Sequence, residues 1–315
     1  IFLQGCLLVM KKVTVLLILL VFSCLAFANS PATSGFQFLK MQVSARAAAM
    51  GGSFVAVPGD VNALFYNPAG IVAVSQKAAT FSYQDDLLDL NSGFIGYVHP
   101  QVGPGNFGVS VLYRDYGNFT KTDISGQELG DFGANSIALT GSYGIEAMPN
   151  LYAGGSLKYV RGAIDTYSAD AVAVDAGVMY RIPQHELVLA AVVSNVGASL
   201  NAYIAEKPEL PMQVRAGFSK RLAHLPLLFG VNVYKFSDSP WYATLGGEFT
   251  ITPNLFLRVG WDSFGRDLDV DSSKDTLAGV AMGLGFFWNN LTFDYSYSSL
   301  GALGALNRFT ISGRF

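Results

Sequence analysis

Few residues in this chain could carry out chemistry. Three aspartates, Asp267, Asp269 and Asp271, have the spacing of the first carboxylate ligands of a calcium loop. Such a loop also needs a glycine at its sixth position and a bidentate glutamate at its twelfth, and the chain has Ser272 and Ala278 there. The stretch therefore favours a solvated acidic loop, with weak Ca²⁺ binding as the alternative.

Catalytic constellations are missing from the sequence. His99, His185 and His224 each lie near a proline that indicates a turn, so we expect ordinary turn residues and neither a triad nor a metal cluster. No Ser-His-Asp order, HExxH motif or Walker loop occurs in the 315 residues. Lys and Arg together number 20 against 23 Asp and Glu, with no basic cluster, which argues against nucleic-acid binding. The sequence predicts no enzyme activity, no cofactor and no resident metal.

The elements that must position the remaining polar residues are strands. Only 14% of the residues are charged, whereas a soluble domain carries about 25%. Outside the first thirty residues, no apolar run reaches the ~18 residues that a spanning helix needs. Apolar residues must therefore be distributed over alternating strands with one apolar and one polar face, as in a membrane barrel.

The alternation is clear near the C-terminus, where Leu291, Phe293 and Tyr295 share one face and Thr292 and Asp294 share the other. It predicts an all-β fold, a transmembrane antiparallel outer-membrane β-barrel of about fourteen strands. The predicted strands are 77–84, 91–98, 105–114, 134–144, 151–161, 169–181, 186–195, 212–221, 226–236, 241–251, 254–262, 277–287, 290–299 and 306–315.

The connections between these segments alternate in length. Short ones such as 145–150 are followed by longer ones such as 162–168, and the longest is 115–133. Outer-membrane barrels have short periplasmic turns and longer outer loops. The order therefore predicts that both ends of the barrel chain lie in the periplasm.

The N-terminus has the features of an export signal. Lys11 and Lys12 precede an almost wholly apolar stretch, and Ala26 and Ala28 supply the small residues that signal peptidase needs. We interpret residues 10–28 as a cleaved signal peptide and residues 1–9 as a gene-model extension. An anchoring helix and lipidation at Cys24 are the alternatives. The prediction is export to the bacterial outer membrane.

The last strand ends the chain with aromatic residues on one face. Phe309, Ile311 and Phe315 share that face, and Phe315 is the final residue. A terminal aromatic residue on an alternating strand resembles the signal read by the outer-membrane assembly machinery. We therefore expect that machinery and outer-membrane lipid as partners.

Residues 29–76 break the alternation, and the barrel is expected to occupy 77–315. The stretch 44–50 predicts a short helix that Gly51-Gly52 can end. Asp60 is a suitable N-cap for a second turn at 61–66. We expect 29–76 to fold inward as a small α-helical hatch, because the lumen of such a barrel would otherwise be open.

The same stretch resembles the opening of the PorV/PorQ family. The strings 34–40 (SGFQFLK), 45–57 (ARAAAMGGSFVAV) and 67–70 (NPAG), with Asp60 between them, carry the resemblance. Members of this family are outer-membrane barrels related to FadL-type transporters, which share the Asn-Pro-Ala hatch element. The hatch residues that the resemblance marks are Arg46, Met50, Gly51, Gly52, Asp60, Asn67, Pro68, Ala69 and Gly70.

The resemblance implies two functions. PorV-like members are accessory components of type IX protein secretion, so the partners would be a translocon and exported cargo. FadL-like relatives instead pass hydrophobic small molecules, such as fatty acids, through a hatch-plugged lumen and out of a lateral opening. We take protein export as the first interpretation and hydrophobic transport as the alternative.

Charged residues within the strands are expected to face the lumen, because Arg or Lys on the lipid face would cost about 2–4 kcal/mol near the midplane. We predict salt bridges between hatch and wall, with Arg46 pairing with Glu248 or Asp294. A polar substrate path is the alternative. The expected lumen-facing charges are Arg114, Lys158, Asp175, Arg181, Arg215, Glu248, Arg258, Asp262 and Asp294.

Overall fold

The chain forms a closed antiparallel barrel in the computed structural model, which describes residues 34–86, 90–268, 270 and 272–315. Every strand pairs with its neighbours in the chain, and β1 and β14 close the ring through pairs from Ala78–Arg314 to Asp85–Asn307. The predicted fold class and strand number are confirmed. The predicted gene-model extension, the signal peptide, Asp269 and Asp271 lie outside the described residues.

The strands follow the predicted segments closely, apart from β3 and β4. Their bounds are β1 Ala78–Asp85, β2 Asn91–Val102, β3 Gly105–Thr122, β4 Glu128–Met148, β5 Leu151–Ile164, β6 Tyr167–Ile182, β7 Leu187–Ser199, β8 Gln213–Arg221, β9 Leu227–Phe236, β10 Trp241–Thr252, β11 Leu255–Asp262, β12 Val280–Trp288, β13 Leu291–Ser299 and β14 Ala305–Arg314.

Alternating burial shows how the sequence forms the wall. In β12, Leu284 and Phe286 point outward and are 51% and 48% exposed, whereas Ala281, on the inward face of the same strand, is buried. The outward residues of most strands are large and apolar, as a lipid-facing surface requires. Among the described residues, no helix is long and apolar enough to cross a membrane.

The two ends of the barrel differ. The end that we call the short-turn end carries tight connections such as 103–104, 149–150 and 253–254. The opposite, long-loop end carries the connections 200–212 and 263–279. Lys77 and Phe315, at the two ends of the barrel chain, lie together at the short-turn end, where the Phe315 N–H donates to the Lys77 carbonyl at 2.9 Å.

The predicted loop at 115–133 was wrong. β3 continues to Thr122 and β4 begins at Glu128, so a long hairpin extends beyond neighbouring strands, with stacked rings of Phe119 and Phe132 across it. A register shift follows Asp115. The polar sequence concealed these strand extensions because a strand that projects beyond the barrel needs no apolar outer face.

The N-terminal segment 34–76, which we call the hatch, lies inside the lumen as predicted. It contains two short helices, α1 Ala45–Ala49 and α2 Ala63–Tyr66, and 3-10 turns at Gln37–Lys40 and Pro68–Ala73. Gly51 and Gly52, with φ of 63° and 77°, end α1 in the left-handed region that glycine adopts readily. The described hatch therefore fills the lumen with short pieces joined by tight turns.

Candidate functional site: the plugged lumen

The hatch runs through the lumen from one end to the other. At the long-loop end, the Asp238 carboxylate accepts hydrogen bonds from the Ser34 N–H at 2.9 Å and from Lys40 Nζ at 2.7 Å. At the short-turn end, Asn106 Nδ2 donates to the carbonyls of Ile71 and Val74 at 2.8 and 2.7 Å. The hatch is thus attached near both mouths of the barrel.

Inward-facing glycines let the hatch backbone touch the wall. A Cβ on Gly154 would lie 2.4 Å from the Pro68 carbonyl carbon, and a Cβ on Gly260 would lie 2.0 Å from the Gly51 nitrogen. A Cβ on Gly246 would lie 2.2 Å from the Met50 carbonyl oxygen. Real Cβ atoms do not approach backbone this closely, so these positions are seats that only glycine permits.

The Asn-Pro-Ala-Gly element forms the turn that fits these seats. The Asn67 side chain is fully buried and accepts the Ala69 N–H at 3.1 Å, which caps the 3-10 turn that Pro68 begins. Its amide also donates to the Val55 carbonyl at 3.1 Å and to the Val178 carbonyl of β6 at 3.3 Å. One side chain therefore joins the turn, another part of the hatch and the wall.

A chain of charges links the hatch to the opposite wall. Arg46 contacts Glu248 through Nε at 2.7 Å and Nη2 at 2.6 Å, and it contacts Asp60 through Nη1 at 2.7 Å. Glu248 also accepts from Arg258 Nε at 2.6 Å, and Arg258 Nη1 reaches Asp294 at 2.7 Å. Arg46 thus contacts Glu248, one of its two expected partners. Arg258 connects Glu248 to Asp294, the other expected partner.

Asp60 has a second contact besides Arg46. The helix α2 begins at Ala63 with Asn62 as its N-cap, so the prediction of Asp60 as the N-cap was wrong. Asp60 Oδ1 instead accepts the Asn62 N–H at 2.8 Å, just before the helix. The residue therefore orders the turn that precedes the helix and also joins the charge chain, two roles that one carboxylate can combine because it has two oxygens.

The other expected lumen charges do not join this chain. Arg114 and Asp262 are half-buried near the long-loop end, paired with Asp86 and with the Tyr234 hydroxyl respectively. The remaining contacts are separate: Lys158–Asp175 at 2.7 Å, Arg181 Nη1 to the Tyr152 hydroxyl at 2.7 Å, and Arg215 Nη1 to the Gly52 carbonyl at 2.8 Å.

Two polar residues of this region were missed by the sequence analysis. Arg308 is 3% exposed and donates to Gln84 Oε1 and, at 3.2 Å, to the Gln42 carbonyl. Arg308 alternates with the outward-facing Phe309 and Ile311, and this alternation could have predicted that Arg308 faces the lumen. Asp238 lies in a turn, where the sequence pattern has no feature that distinguishes it from a solvated aspartate.

The wall of the lumen has two chemically different sides. On β8–β14 the buried inward residues are largely polar or charged, whereas on β2–β6 most of the large ones are apolar, interrupted by serines and the Lys158–Asp175 pair. The hatch packs apolar side chains such as Leu39, Leu64 and Phe65 against that second side. The buried apolar residues of β2–β6 in this cluster are Phe94, Val98, Leu112, Ala138, Val160, Ala169, Ala171 and Ala173.

The candidate calcium stretch is described only in part. The Asp267 carboxylate accepts a hydrogen bond from the Tyr242 hydroxyl, while its two companions lie outside the described residues. In the part of the chain that the structure describes, no three His, Cys, Asp or Glu side chains are placed to hold a metal ion.

The outer residues of the last strand face away from the lumen. Phe309, Ile311 and Phe315 are 52%, 43% and 67% exposed. This position is compatible with lipid contact, and their role as an assembly signal stays a prediction.

We expect acid to loosen the hatch at the long-loop end. Burial of the Asp238 carboxylate opposes ionisation, but the hydrogen bonds from Lys40 and Ser34 outweigh it and hold its pKa well below the ordinary value of 3.8. A depressed pKa means that this stabilisation is complete above about pH 4 and is lost as the pH falls through the lower folded-state pKa. Hydrogen exchange of residues 34–40, corrected for intrinsic rates, should therefore accelerate below about pH 4.

The substitution Asp238→Asn should produce that acceleration at neutral pH, by about tenfold or more, because a charge-assisted contact is lost. Asp123→Asn is the matched control, since Asp123 caps a turn of the β3–β4 hairpin through its contacts with 125 and 127. Equal exchange at 34–40 in all three proteins would contradict the assigned role of Asp238.

Solved structures with the same architecture provide the comparison with known proteins. The toluene transporter TbuX of Ralstonia pickettii is 12% identical, with 85% of this chain and 97% of that chain covered and a TM-score of 0.59. A FadL homologue of Pseudomonas aeruginosa is 12% identical, with 90% and 99% covered and a TM-score of 0.56. The monoaromatic hydrocarbon channel CymD is 10% identical, with 87% and 97% covered and a TM-score of 0.57.

These matches establish a FadL-like barrel. At such low identity the likeness concerns the fold alone. No protein-family model and no curated protein matches the sequence. Membership of the PorV/PorQ family therefore stays a prediction.

Proposed function

We propose that the protein is a bacterial outer-membrane conduit for hydrophobic small molecules. The apolar side of the lumen on β2–β6 is the observation that carries the proposal. Barrels that pass water-soluble solutes have polar interiors, whereas here Phe94, Leu112 and Val160 point inward and are buried against the hatch. The fold shared with a protein described as a toluene transporter and with a FadL homologue supports the same function.

The apolar side forms a continuous lining across neighbouring strands. Ala138 pairs in register with Val160, and Val160 pairs with Ala171, so three adjacent strands present small or branched apolar side chains at one level. Phe36 of the hatch and Tyr203 of the connection 200–212 pack against this surface near the long-loop end. A hydrophobic solute that entered there would meet apolar contacts as it moved inward.

The hatch must move for such a solute to pass. Leu39, Leu64 and Phe65 pack beside the apolar wall, so a solute that follows this wall would have to displace them. Apart from the chain connection to β1 at residue 77, the hatch is held by non-covalent contacts such as the glycine seats and the charge chain. Passage by displacement of part of the hatch is therefore the mechanism that we propose.

The ladder between β7 and β8 is incomplete near the long-loop end. β8 pairs with β7 only from Leu187 to Ser194, so residues 196–199 of β7 pair with β6 but not with β8. Asn195 adopts a φ of 60° at this point, and its N–H donates to Asp175 at 2.8 Å. We propose that a hydrophobic solute leaves the lumen here, where the connection 200–212 covers the break in the ladder.

Accessory service in protein export is the second candidate. The β3–β4 hairpin projects beyond the barrel and exposes Ile124 at 109% and Leu129 at 59%. An exposed apolar tip is a common feature of protein-binding surfaces. Native mass spectrometry of protein extracted gently from its own membrane distinguishes the candidates: co-purified translocon subunits or exported chains favour export, and a lipid-like molecule without protein favours the conduit.

Uptake by intact cells tests the conduit directly. The protein is expressed in a Gram-negative host that lacks its own hydrophobic-solute channels, and the initial rate of uptake of labelled toluene and of labelled oleate is measured. We expect Ala171→Asp to lower uptake at least tenfold, because an ionised carboxylate on the apolar wall must be desolvated each time a solute passes. Heat-modifiable migration on a gel verifies that the variant barrel folds.

Ser296→Asp is the matched control for that variant. Ser296 is also fully buried and inward-facing, but it pairs in register with Arg308 on the polar side, where a new carboxylate meets a guanidinium group. Uptake should remain near the unmodified rate. An equal loss of uptake in both variants, or no loss of uptake in either, would contradict an apolar path along β2–β6.

A further inference from the structure

Two cavities open at the short-turn end, on either side of the hatch turn at 57–61. One has a volume of about 300 Å³ and the other about 420 Å³. Arg46 and Arg221 line both, so the two form adjoining lobes of one vestibule. The larger lobe has the size of a small-ligand site, for which about 300–1,000 Å³ is typical.

Positive charge predominates in the larger lobe. Arg46, Arg181 and Arg221 line it, against Glu186 as the single lining carboxylate. Arg46 already binds Glu248 and Asp60. Within the described chain, Arg181 and Arg221 form no ion pair with a carboxylate. Two guanidinium groups are therefore available to an anion.

Arg181 is held in place for such a role. Its Nη1 donates to the Tyr152 hydroxyl at 2.7 Å, and its guanidinium carbon lies 5.8 Å from the centre of the Tyr152 ring. A guanidinium has five N–H donors in a planar fork, so this contact leaves several donors for a carboxylate. Arg221 is exposed at the end of β8, and its backbone N–H donates to the Glu186 carbonyl at 3.1 Å.

The remaining lining of the larger lobe is mainly apolar. Its apolar members come from the hatch and from the wall beside Arg181 and Arg221. An apolar surface next to guanidinium groups suits a ligand with a hydrocarbon part and an anionic head. The apolar lining residues are Val57, Pro58, Ile182, Pro183, Leu187, Val188 and Leu228.

We propose that the larger lobe binds the carboxylate of an amphiphilic acid. Arg181 and Arg221 bind the head, and the apolar residues of the lobe contact the adjoining hydrocarbon. This site goes beyond the proposed conduit, because it lies at the opposite end of the lumen from Phe36 and Tyr203 and does not require transport.

Equilibrium dialysis of labelled decanoate tests the site, with the protein in lipid nanodiscs and empty nanodiscs as the blank. We expect decanoate to bind at least about tenfold more tightly than decanol, which has the same chain without the charge. Arg221→Gln should weaken decanoate binding about tenfold, and Arg181→Gln/Arg221→Gln should remove the preference over decanol. Arg221 is exposed at the rim, so its substitution leaves the barrel intact.

Arg161→Gln is the control, since Arg161 lies near the long-loop end in an exposed pair with Asp170. It should bind decanoate as the unmodified protein does. Decanol binding as tight as decanoate, or unchanged decanoate binding in the double variant, would overturn the proposal. Tighter binding of decyl phosphate than of decanoate would also overturn it, by assigning the lobe to a phosphate head. Toluene uptake, measured separately, should be unchanged in the double variant, so failure of the conduit and failure of this site are distinguishable.

Discussion

Replacing Gly154 by valine is expected to expel the Asn-Pro-Ala-Gly turn from its seat and to leave a conducting barrel. A Cβ at this position would lie 2.4 Å from the Pro68 carbonyl carbon and 2.5 Å from the Ala69 nitrogen. Both contacts are with backbone, which cannot rotate away as a side chain can. Valine also favours strands, so β5 should still form. The clash should therefore be relieved by displacement of the hatch turn.

Single-channel conductance in planar bilayers measures the result. The unmodified protein should show at most rare, small openings, whereas Gly154→Val should show a large and persistent conductance, because the lumen of a barrel of this size is wide enough for water when it is not filled. Protease cleavage between 60 and 77 should appear in parallel.

Gly155→Val is an unusually close control. The neighbouring Gly155 points outward, and a Cβ there would make only an ordinary contact of 3.5 Å with the Asp175 carbonyl. Conductance and protease resistance should match those of the unmodified protein. A closed pore in Gly154→Val would show that the turn is not what blocks the lumen.

Arg46→Ala is expected to release the middle of the hatch from the polar wall. Arg46 bridges two carboxylates, and its removal leaves Asp60 without a cationic partner in a half-buried position. Loss of one partner from a buried ion pair costs about 3–5 kcal/mol. Arg258 still pairs with Glu248 and Asp294, so the wall itself should stay folded.

Hydrogen exchange of residues 44–62 together with bilayer conductance measures this release. Exchange should accelerate at least a hundredfold, and conductance openings should become frequent. The exchange rate and conductance of Arg46→Lys should lie between those of the unmodified protein and those of Arg46→Ala. One ammonium cannot make the paired contacts of a guanidinium fork with two carboxylates. Arg161→Ala removes an exposed pair and should change neither readout. Normal exchange in Arg46→Ala would show that the glycine seats alone hold the hatch.

The strands were predictable because their signal is local. Alternation along 291–298 or 212–221 requires only that successive side chains point to opposite faces, and the lipid then selects which face is apolar. The hatch helices were equally local, since Gly51-Gly52 and Asp60 act on their own neighbourhood. The hairpin extension at 115–133 was missed because the strand is not embedded in the wall there and its sequence carries no apolar periodicity.

The contacts of the site depended on closure of the barrel. Arg46 and Glu248 are 202 positions apart, and the sequence left Asp294 as an equal candidate. Only the ring of strands brings β10 and α1 together and places Arg258 between Glu248 and Asp294. The contact of Asp238 with Lys40, 198 positions away, was likewise not predictable from the sequence.

The sequence by itself determined an alternating, weakly charged chain with short turns, and these properties require a closed sheet with an inward polar or small face. It did not reveal that the lumen has an apolar side, because Ala171 and Ala173 alternate with Val172 and Val174, so that both faces of this stretch are apolar in the sequence. Only the tertiary structure decided which inward residues adjoin one another and which wall the hatch contacts. The reason is physical: period-two alternation specifies the face of each side chain, whereas its neighbours across the lumen are set by the order and register of all the strands together.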